Sequence, residues 1–276
     1  MKKFIDVDKI IASKNPRLQR LLPGFLLRYI RRILHEEEIN GFFRDHGHNR
    51  GLQFAETVLR EFHTTVHVKG LENIPENGGF IVAANHPLGG FDGLALMHAV
   101  AKKRKDIKFL VNDILLNLTP LENIFVPVNK HGSQYAVSLI EETYQSDNAV
   151  LIFPAGLVSR KQNGNIRDLR WKKSFISKAI QYQKPVVPTY VEGRNSGFFY
   201  NLARWRKRFK IKANLEMFYL PDEMYRQRDK TITVIFGRAV SPDVFDRTKS
   251  HREWAALMQD HVYALGEGTA KSFNQP

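Results

Sequence analysis

The stretch Ala83-Ala84-Asn85-His86-Pro87-Leu88-Gly89-Gly90-Phe91-Asp92-Gly93 leaves an apolar run and enters a helical pattern. The run, residues 79–84, has no polar alternation and reads as a strand buried on both faces. Similar runs rich in Val, Ile and Phe lie at 108–112, 124–128, 149–153, 186–191 and 231–236. Helical patterns fall between them at 93–102, 133–144 and 170–182. Strand and helix in alternation predict an α/β fold, a mainly parallel twisted sheet flanked by helices. In such sheets the loops at the carboxyl ends of the strands carry the chemistry. The quoted stretch is one of those loops.

Upstream, residues 1–65 read as an amphipathic helical segment. Leu18, Leu21, Leu22, Phe25, Leu26, Tyr29, Ile30 and Ile33 fall on one helical face, with arginines mostly on the other. Pro23 and Gly24 divide the pattern into two short helices with a kink. A basic amphipathic helix lies in a membrane interface or packs on its own domain, and the sequence leaves both open. Residues 66–268 read as the α/β domain. Its last helix opens on a capping box, Ser250 with Glu253, and Gly266 reads as its stop. Residues 269–276 read as a loose tail.

The 276 residues contain no cysteine. That excludes a disulfide scaffold, a thiol nucleophile and a thiolate metal site. The longest stretch free of Lys, Arg, Asp and Glu, residues 77–91, holds a proline and four glycines, so no membrane span is expected. Met-Lys-Lys is followed by no apolar core, so no secretory signal is expected.

His86 and Asp92 are the first candidates for chemistry. An imidazole can take a proton while a carboxylate fixes its tautomer. Gly89 and Gly90 let the loop fold tightly enough for the two to meet. The plainer reading is a turn with an incidental His and a helix-capping Asp. Three further segments end strands in the same manner. Ile124-Phe125-Val126-Pro127-Val128-Asn129-Lys130 ends in an amide and a cation. Val150-Leu151-Ile152-Phe153-Pro154-Ala155-Gly156-Leu157-Val158-Ser159-Arg160 ends in a turn suited to an anion. Pro185-Val186-Val187-Pro188-Thr189-Tyr190-Val191 is the fourth.

In this order and spacing the four segments resemble the glycerolipid acyltransferase family, whose best-known members acylate lysophosphatidic acid. The resemblance covers residues 66–191 and weakly extends to 236. The family has Asn-His and then Asp after four residues; here five separate His86 from Asp92. Of the family's Phe-Pro-Glu-Gly-Thr-Arg-Ser block, Phe153, Pro154, Gly156 and Ser159 carry over. Ala155 replaces the Glu, and Leu157 and Val158 replace Thr-Arg. Lys130 stands where Arg is usual, which removes a bidentate grip on phosphate. The variant pattern is closer to the bacterial branch that acylates lyso-aminolipids such as lyso-ornithine or lyso-glycine lipids.

The resemblance implies acyl transfer from acyl carrier protein or acyl-CoA to a lysolipid hydroxyl, with no metal and no cofactor beyond the thioester co-substrate. It implies His86 as general base and Asp92 as its orienting partner. Asn85 either shapes the turn or donates to the oxyanion, and backbone N–H groups near Gly89 or Gly156 are further oxyanion donors. Asn129, Lys130, Phe153, Pro154, Gly156, Ser159 and Arg160 line the substrate, with Lys130, Ser159 and Arg160 on the acceptor's headgroup.

Charge is concentrated. Between Arg160 and Lys212 stand 15 Lys/Arg against two acids, Asp168 and Glu192, a balance of +13 out of the chain's 42 − 28 = +14. Such a stretch fits an anionic membrane surface or an acidic carrier, and a peripheral place on the cytoplasmic face of a membrane is the expectation. The alternative is a non-catalytic basic protein that binds lipid or nucleic acid. No nucleic-acid motif appears, and that reading leaves the four strand ends unexplained. A metal site is a weaker rival, on His63 and His67 in an apparent strand over 62–68. No Gly-x-Ser-x-Gly elbow, phosphate loop or dinucleotide fingerprint occurs.

Overall fold

The computed structural model describes residues 3–14, 21–128, 134–162 and 164–273. Among these residues seven strands form one sheet in the order β1 (Thr65–Lys69), β9 (Thr231–Phe236), β8 (Val186–Val191), β2 (Phe80–Ala84), β5 (Ala149–Ile152), β3 (Ile107–Val111), β4 (Phe125–Pro127). β8, β2, β5, β3 and β4 run parallel. β9 runs antiparallel to β8 and parallel to β1, so these two point the other way. The expected mainly parallel α/β sheet is what the chain forms.

Both faces are covered. Along β2, Phe80, Val82 and Ala84 join one cluster while Ile81 and Ala83 join the other. On the first side Phe54, Val58 and Leu59 of α4 (Gly51–Glu61) pack with Leu96, Met97 and Val100 of α5 (Gly90–Ala101). On the second side Phe175, Ile176 and Ala179 of α7 (Ser174–Tyr182) meet Trp254, Met258 and Val262 of α9 (His251–Glu267). α6 (Gln134–Gln145) lies beside β4 and α7. Covering both faces is why the central strands read as unbroken apolar runs. Burying a side chain such as Phe80 contributes about 1.5–3 kcal/mol.

The N-terminal helices are α1 (Val7–Lys14), α2 (Gly24–Ile33) and α3 (Glu36–His46). Phe42 and Phe43 of α3 pack their rings on Phe54. α2 starts after Pro23 and buries none of its residues. Leu18 lies outside the described residues.

Several local expectations change. α7 begins at Ser174 rather than residue 170. The last helix passes through Gly266 and ends at Gly268, which caps it with φ 70°. At Gly266 a Cβ would lie 2.5 Å from the Tyr190 ring, so this glycine serves helix–sheet contact. The strand read over 62–68 starts only at Thr65, because Phe62 ends α4 and His63 turns back to pair with Asp229 at 3.1 Å. Two elements in the basic stretch carry no clear apolar period. They are the hairpin β6 (Arg160–Gln162) with β7 (Asn165–Arg167), and α8 (Gly197–Arg208).

Candidate active site

The parallel strands bring their carboxyl ends to one edge of the sheet, and the loops after β2, β5 and β8 meet there. His86 leaves β2 and turns at Pro87, and Gly89 closes the bend in the left-handed region with φ 90°. That conformation absorbs the extra residue between His86 and Asp92. Both Asp92 carboxylate oxygens lie 3.1 Å from His86 Nδ1. Oδ2 also accepts the N–H groups of Leu88 at 2.8 Å and Gly89 at 3.2 Å. Asp92 is wholly buried, while the His86 side chain keeps 16% of its surface open. With Nδ1 held by a carboxylate, Nε2 is the atom left to exchange protons.

Phe153, at the end of β5, stacks on the imidazole with ring centroids 4.1 Å apart. The ring fixes the imidazole plane, and its face favours the charged form. Burial, the largest influence, pulls the His86 pKa down; Asp92's charge and hydrogen bond, with Asp168 behind them, outweigh it and leave it raised. A raised value suits a base that must hold the proton it takes.

Asp168 escaped the sequence reading. It is 3% exposed and lies 82 positions from His86. Its Oδ1 accepts the His86 backbone N–H at 3.1 Å and the Ser159 hydroxyl at 2.6 Å. Its Oδ2 accepts the Trp171 indole N–H at 2.9 Å. Ser159 N in turn donates to His86 O at 2.7 Å. Asp168 therefore clamps the β5 loop to the β2 loop. Burial pushes its carboxyl pKa up. The only available signal was an isolated acid inside a basic stretch.

The other expected site residues separate into those that meet His86 and those that do not. Phe153 and Ser159 touch it. Pro154 is buried in the turn, where its carbonyl accepts Lys172 N–H at 3.1 Å. Gly156 is exposed at φ 67° in the same turn, and its N–H is taken by Phe153 O at 2.9 Å. The Gly89 N–H goes to Asp92, so neither glycine's own N–H is turned to a ligand. Asn85 faces β8: its Nδ2 donates to Val191 O at 2.9 Å, and its Oδ1 accepts Val191 N–H at 2.6 Å. It acts in the protein as one more rung between β2 and β8. Arg160 turns inward to Glu216 Oε1 at 2.9 Å, and Arg206 binds Glu216 Oε2 at 2.8 Å. Asn129 and Lys130 lie outside the described residues.

The sequence profile of the family described as Acyltransferase matches residues 9–270. The chain is 45% identical over 265 residues to the Lyso-glycine lipid O-acyltransferase of Bacteroides thetaiotaomicron, covering 95% of this chain and 97% of that one. It is 43% identical over 265 residues to the protein of the same name from Phocaeicola vulgatus, covering 95% of each. A solved structure, the 1-acyl-sn-glycerophosphate (LPA) acyltransferase PlsC from Thermotoga maritima, overlays with a TM-score of 0.49 at 17% identity, covering 94% of this chain and 93% of that one.

Proposed function

This chain belongs to the Acyltransferase family, and from that premise we propose that it moves a fatty acyl group from a thioester to the hydroxyl of a lyso-aminolipid. The observation that carries the mechanism is His86, open at its rim and braced at Nδ1 by a buried carboxylate at 3.1 Å. Nε2 takes the hydroxyl proton as the oxygen attacks the thioester carbonyl. The tetrahedral adduct collapses, the C–S bond breaks, and the imidazolium returns the proton to the departing thiolate. The products are an ester and a free thiol. Asp92 keeps Nδ1 protonated and stabilises the imidazolium. Proton transfer of this kind contributes roughly 10²–10⁴-fold. The names of the two relatives support a lyso-glycine lipid as the acceptor. Acyl carrier protein or acyl-CoA is the donor.

Lysolipid acceptors sit in bilayers, and an exposed face of the protein fits an anionic one. α2 leaves Phe25 67% exposed beside arginines. On α8 Trp205 is 63% exposed among the exposed Arg204, Lys207 and Arg208. Tyr29 of α2 and Tyr219, close after α8, join their hydroxyls at 2.9 Å, which ties the two regions together. Among the described residues no helix is long and apolar enough to cross a membrane. Peripheral docking is electrostatic and apolar together.

The test is acyl transfer followed by mass spectrometry, pairing carrier-protein and CoA donors with a lyso-glycine lipid and lysophosphatidate. Ester product from the lyso-glycine lipid, lost in His86→Ala, is the expected result. Wild-type turnover equal to that of His86→Ala refutes the mechanism. Liposome binding should weaken between low and high salt; binding indifferent to salt refutes the docking face.

A further inference from the structure

The loop after β8 holds a polar group that the mechanism does not use. Asn195 is 4% exposed. Neither Oδ1 nor Nδ2 of its carboxamide meets a hydrogen-bond partner among the described residues. Its surroundings are by contrast well tied. Its own backbone N–H donates to Tyr200 OH at 3.0 Å. The next residue, Ser196, donates its N–H to buried Glu223 Oε2 at 2.6 Å and its hydroxyl to Oε1 of the same carboxylate. Ser196 also caps α8 through Phe199 N–H. The loop is therefore fixed at and after a carboxamide that bonds to nothing among the described residues.

A buried, unpaired amide costs free energy comparable to several hydrogen bonds foregone, so it persists where something else completes it. The position says what. Gly193, two residues before Asn195, approaches the Leu88 side chain so closely that a Cβ there would lie 2.8 Å from it. Leu88 belongs to the bend that joins His86 to Asp92. Asn195 thus stands on the loop packed against the catalytic bend, at the carboxyl end of the neighbouring strand. Arg194 beside it is exposed, on the approach to the same edge.

The two free atoms define the partner's chemistry. Oδ1 needs a donor and Nδ2 needs acceptors. A phosphate offers acceptors alone and leaves Oδ1 unsatisfied. A secondary amide offers one N–H and one C=O, the complement of a carboxamide. From this pairing, and resting on the lysolipid reading above, we infer that Asn195 forms a subsite for the amide of an amide-bearing lysolipid acceptor. The subsite selects such acceptors over phosphate-bearing ones. It places the headgroup beside the His86 bend so that the free hydroxyl reaches Nε2.

Binding without a thioester donor tests the subsite apart from the reaction. The probes are a short-chain lysolipid with an amide-linked headgroup, the same molecule with an ester in place of the amide, and lysophosphatidate. Titration calorimetry on the wild type should show the amide probe binding roughly tenfold tighter than the ester probe, the worth of a reciprocal hydrogen-bond pair whose loss strands buried groups. Asn195→Leu, with the same branching and no polar atoms, should weaken the amide probe to the level of the ester probe and leave the melting temperature unchanged or raised. Asn195→Asp should also weaken the amide probe, since it removes the donors. Equal affinity of wild type for amide and ester probes overturns the inference. So does Asn195→Leu with unchanged amide binding and a lowered melting temperature, which marks a carboxamide completed by buried water. Selective binding without turnover under any donor would fault the reaction reading and leave the subsite standing; turnover with no amide preference would do the reverse.

Discussion

Asp92→Asn keeps the shape of the buried side chain and changes the atom that faces His86. The bend decides which way the new amide turns. Leu88 N–H and Gly89 N–H both point at Oδ2, at 2.8 and 3.2 Å. An NH₂ group cannot sit against two donors, so the amide oxygen keeps that place and the NH₂ takes the Oδ1 position, 3.1 Å from Nδ1. The oxygen at the Oδ2 position is also 3.1 Å from Nδ1, but it already accepts two N–H groups, and an Nδ1–H would face the hydrogens of the NH₂; Nδ1 therefore accepts from the NH₂, and the ring proton moves to Nε2. An imidazole protonated at Nε2 cannot take the acceptor's proton. The expected loss in kcat is roughly 10³–10⁴-fold, or about 4–5.5 kcal/mol of transition-state stabilisation. Both KM values should stay within about threefold, because Asp92 is wholly buried and touches no substrate. Initial rates of thiol release, with product confirmed by mass spectrometry, give kcat; thermal melts followed by circular dichroism check the fold. His86→Ala should reach the same floor, and the double variant should fall no lower. An Asp92→Asn enzyme within tenfold of wild type refutes the reasoning.

Four further outcomes follow from the same contacts. His86 acts when neutral and its pKa is raised above 6.5, so kcat/KM should fall as pH drops through a value above 6.5, and Asp92→Asn should move that limb to lower pH. By linkage, the stabilisation His86 gains from its partners is complete below about pH 6.5 and lost as pH rises through the folded-state value; a limb at or below 6.5 counts against the assignment. Asp168→Asn cannot accept at both oxygens and should cost about 2–3 kcal/mol in denaturant melts, with kcat/KM lowered as the His86 backbone loosens; full activity in a destabilised variant would limit Asp168 to folding. Glu216→Ala leaves the Arg160 and Arg206 side chains, 11% and 19% exposed, without their carboxylate. The cost should be about 3–5 kcal/mol by urea unfolding, and a change under about 1 kcal/mol would contradict it. Ser250→Ala removes the cap that accepts Glu253 N–H and should cost about 1 kcal/mol, read as a lower melting temperature.

The sheet was legible because its central strands are covered on both sides. Phe80–Ala84 has no exposed residue, so apolar content alone marks it, and the loops at such strand ends are where chemistry is expected. The pair of His86 and Asp92 was legible because both lie in one bend. Partners that depend on distant chain were not. Asp168 reaches His86 across 82 positions, and Glu216 reaches Arg160 across 56. Nothing local distinguishes an arginine that grips a ligand from one that neutralises a buried acid. α8 was hidden because its cations crowd the last turn, while Phe199, Tyr200 and Ala203 supply its buried side. Gly266 looked like a helix end because its demand comes from the Tyr190 ring, on a strand far earlier in the chain.

The place of β9 in the sheet sets the order in which the chain can assemble. Among the described residues β1 pairs with β9 alone, Thr65 opposite Thr231. β2, β3, β4 and β5, which pair among themselves, all precede β9 in the chain. β1 waits, with its hydrogen-bonding edge bare, for a partner made 166 positions later (231 − 65). β9 must then insert between two strands already present, a high contact-order step that is slow and exposed to aggregation. A chain ended before Phe236 loses no mere appendage: it leaves β1 and β8 as open edges and cuts the N-terminal helices' strand from the sheet. Completion of the sheet therefore waits for β9, the last of its strands in chain order.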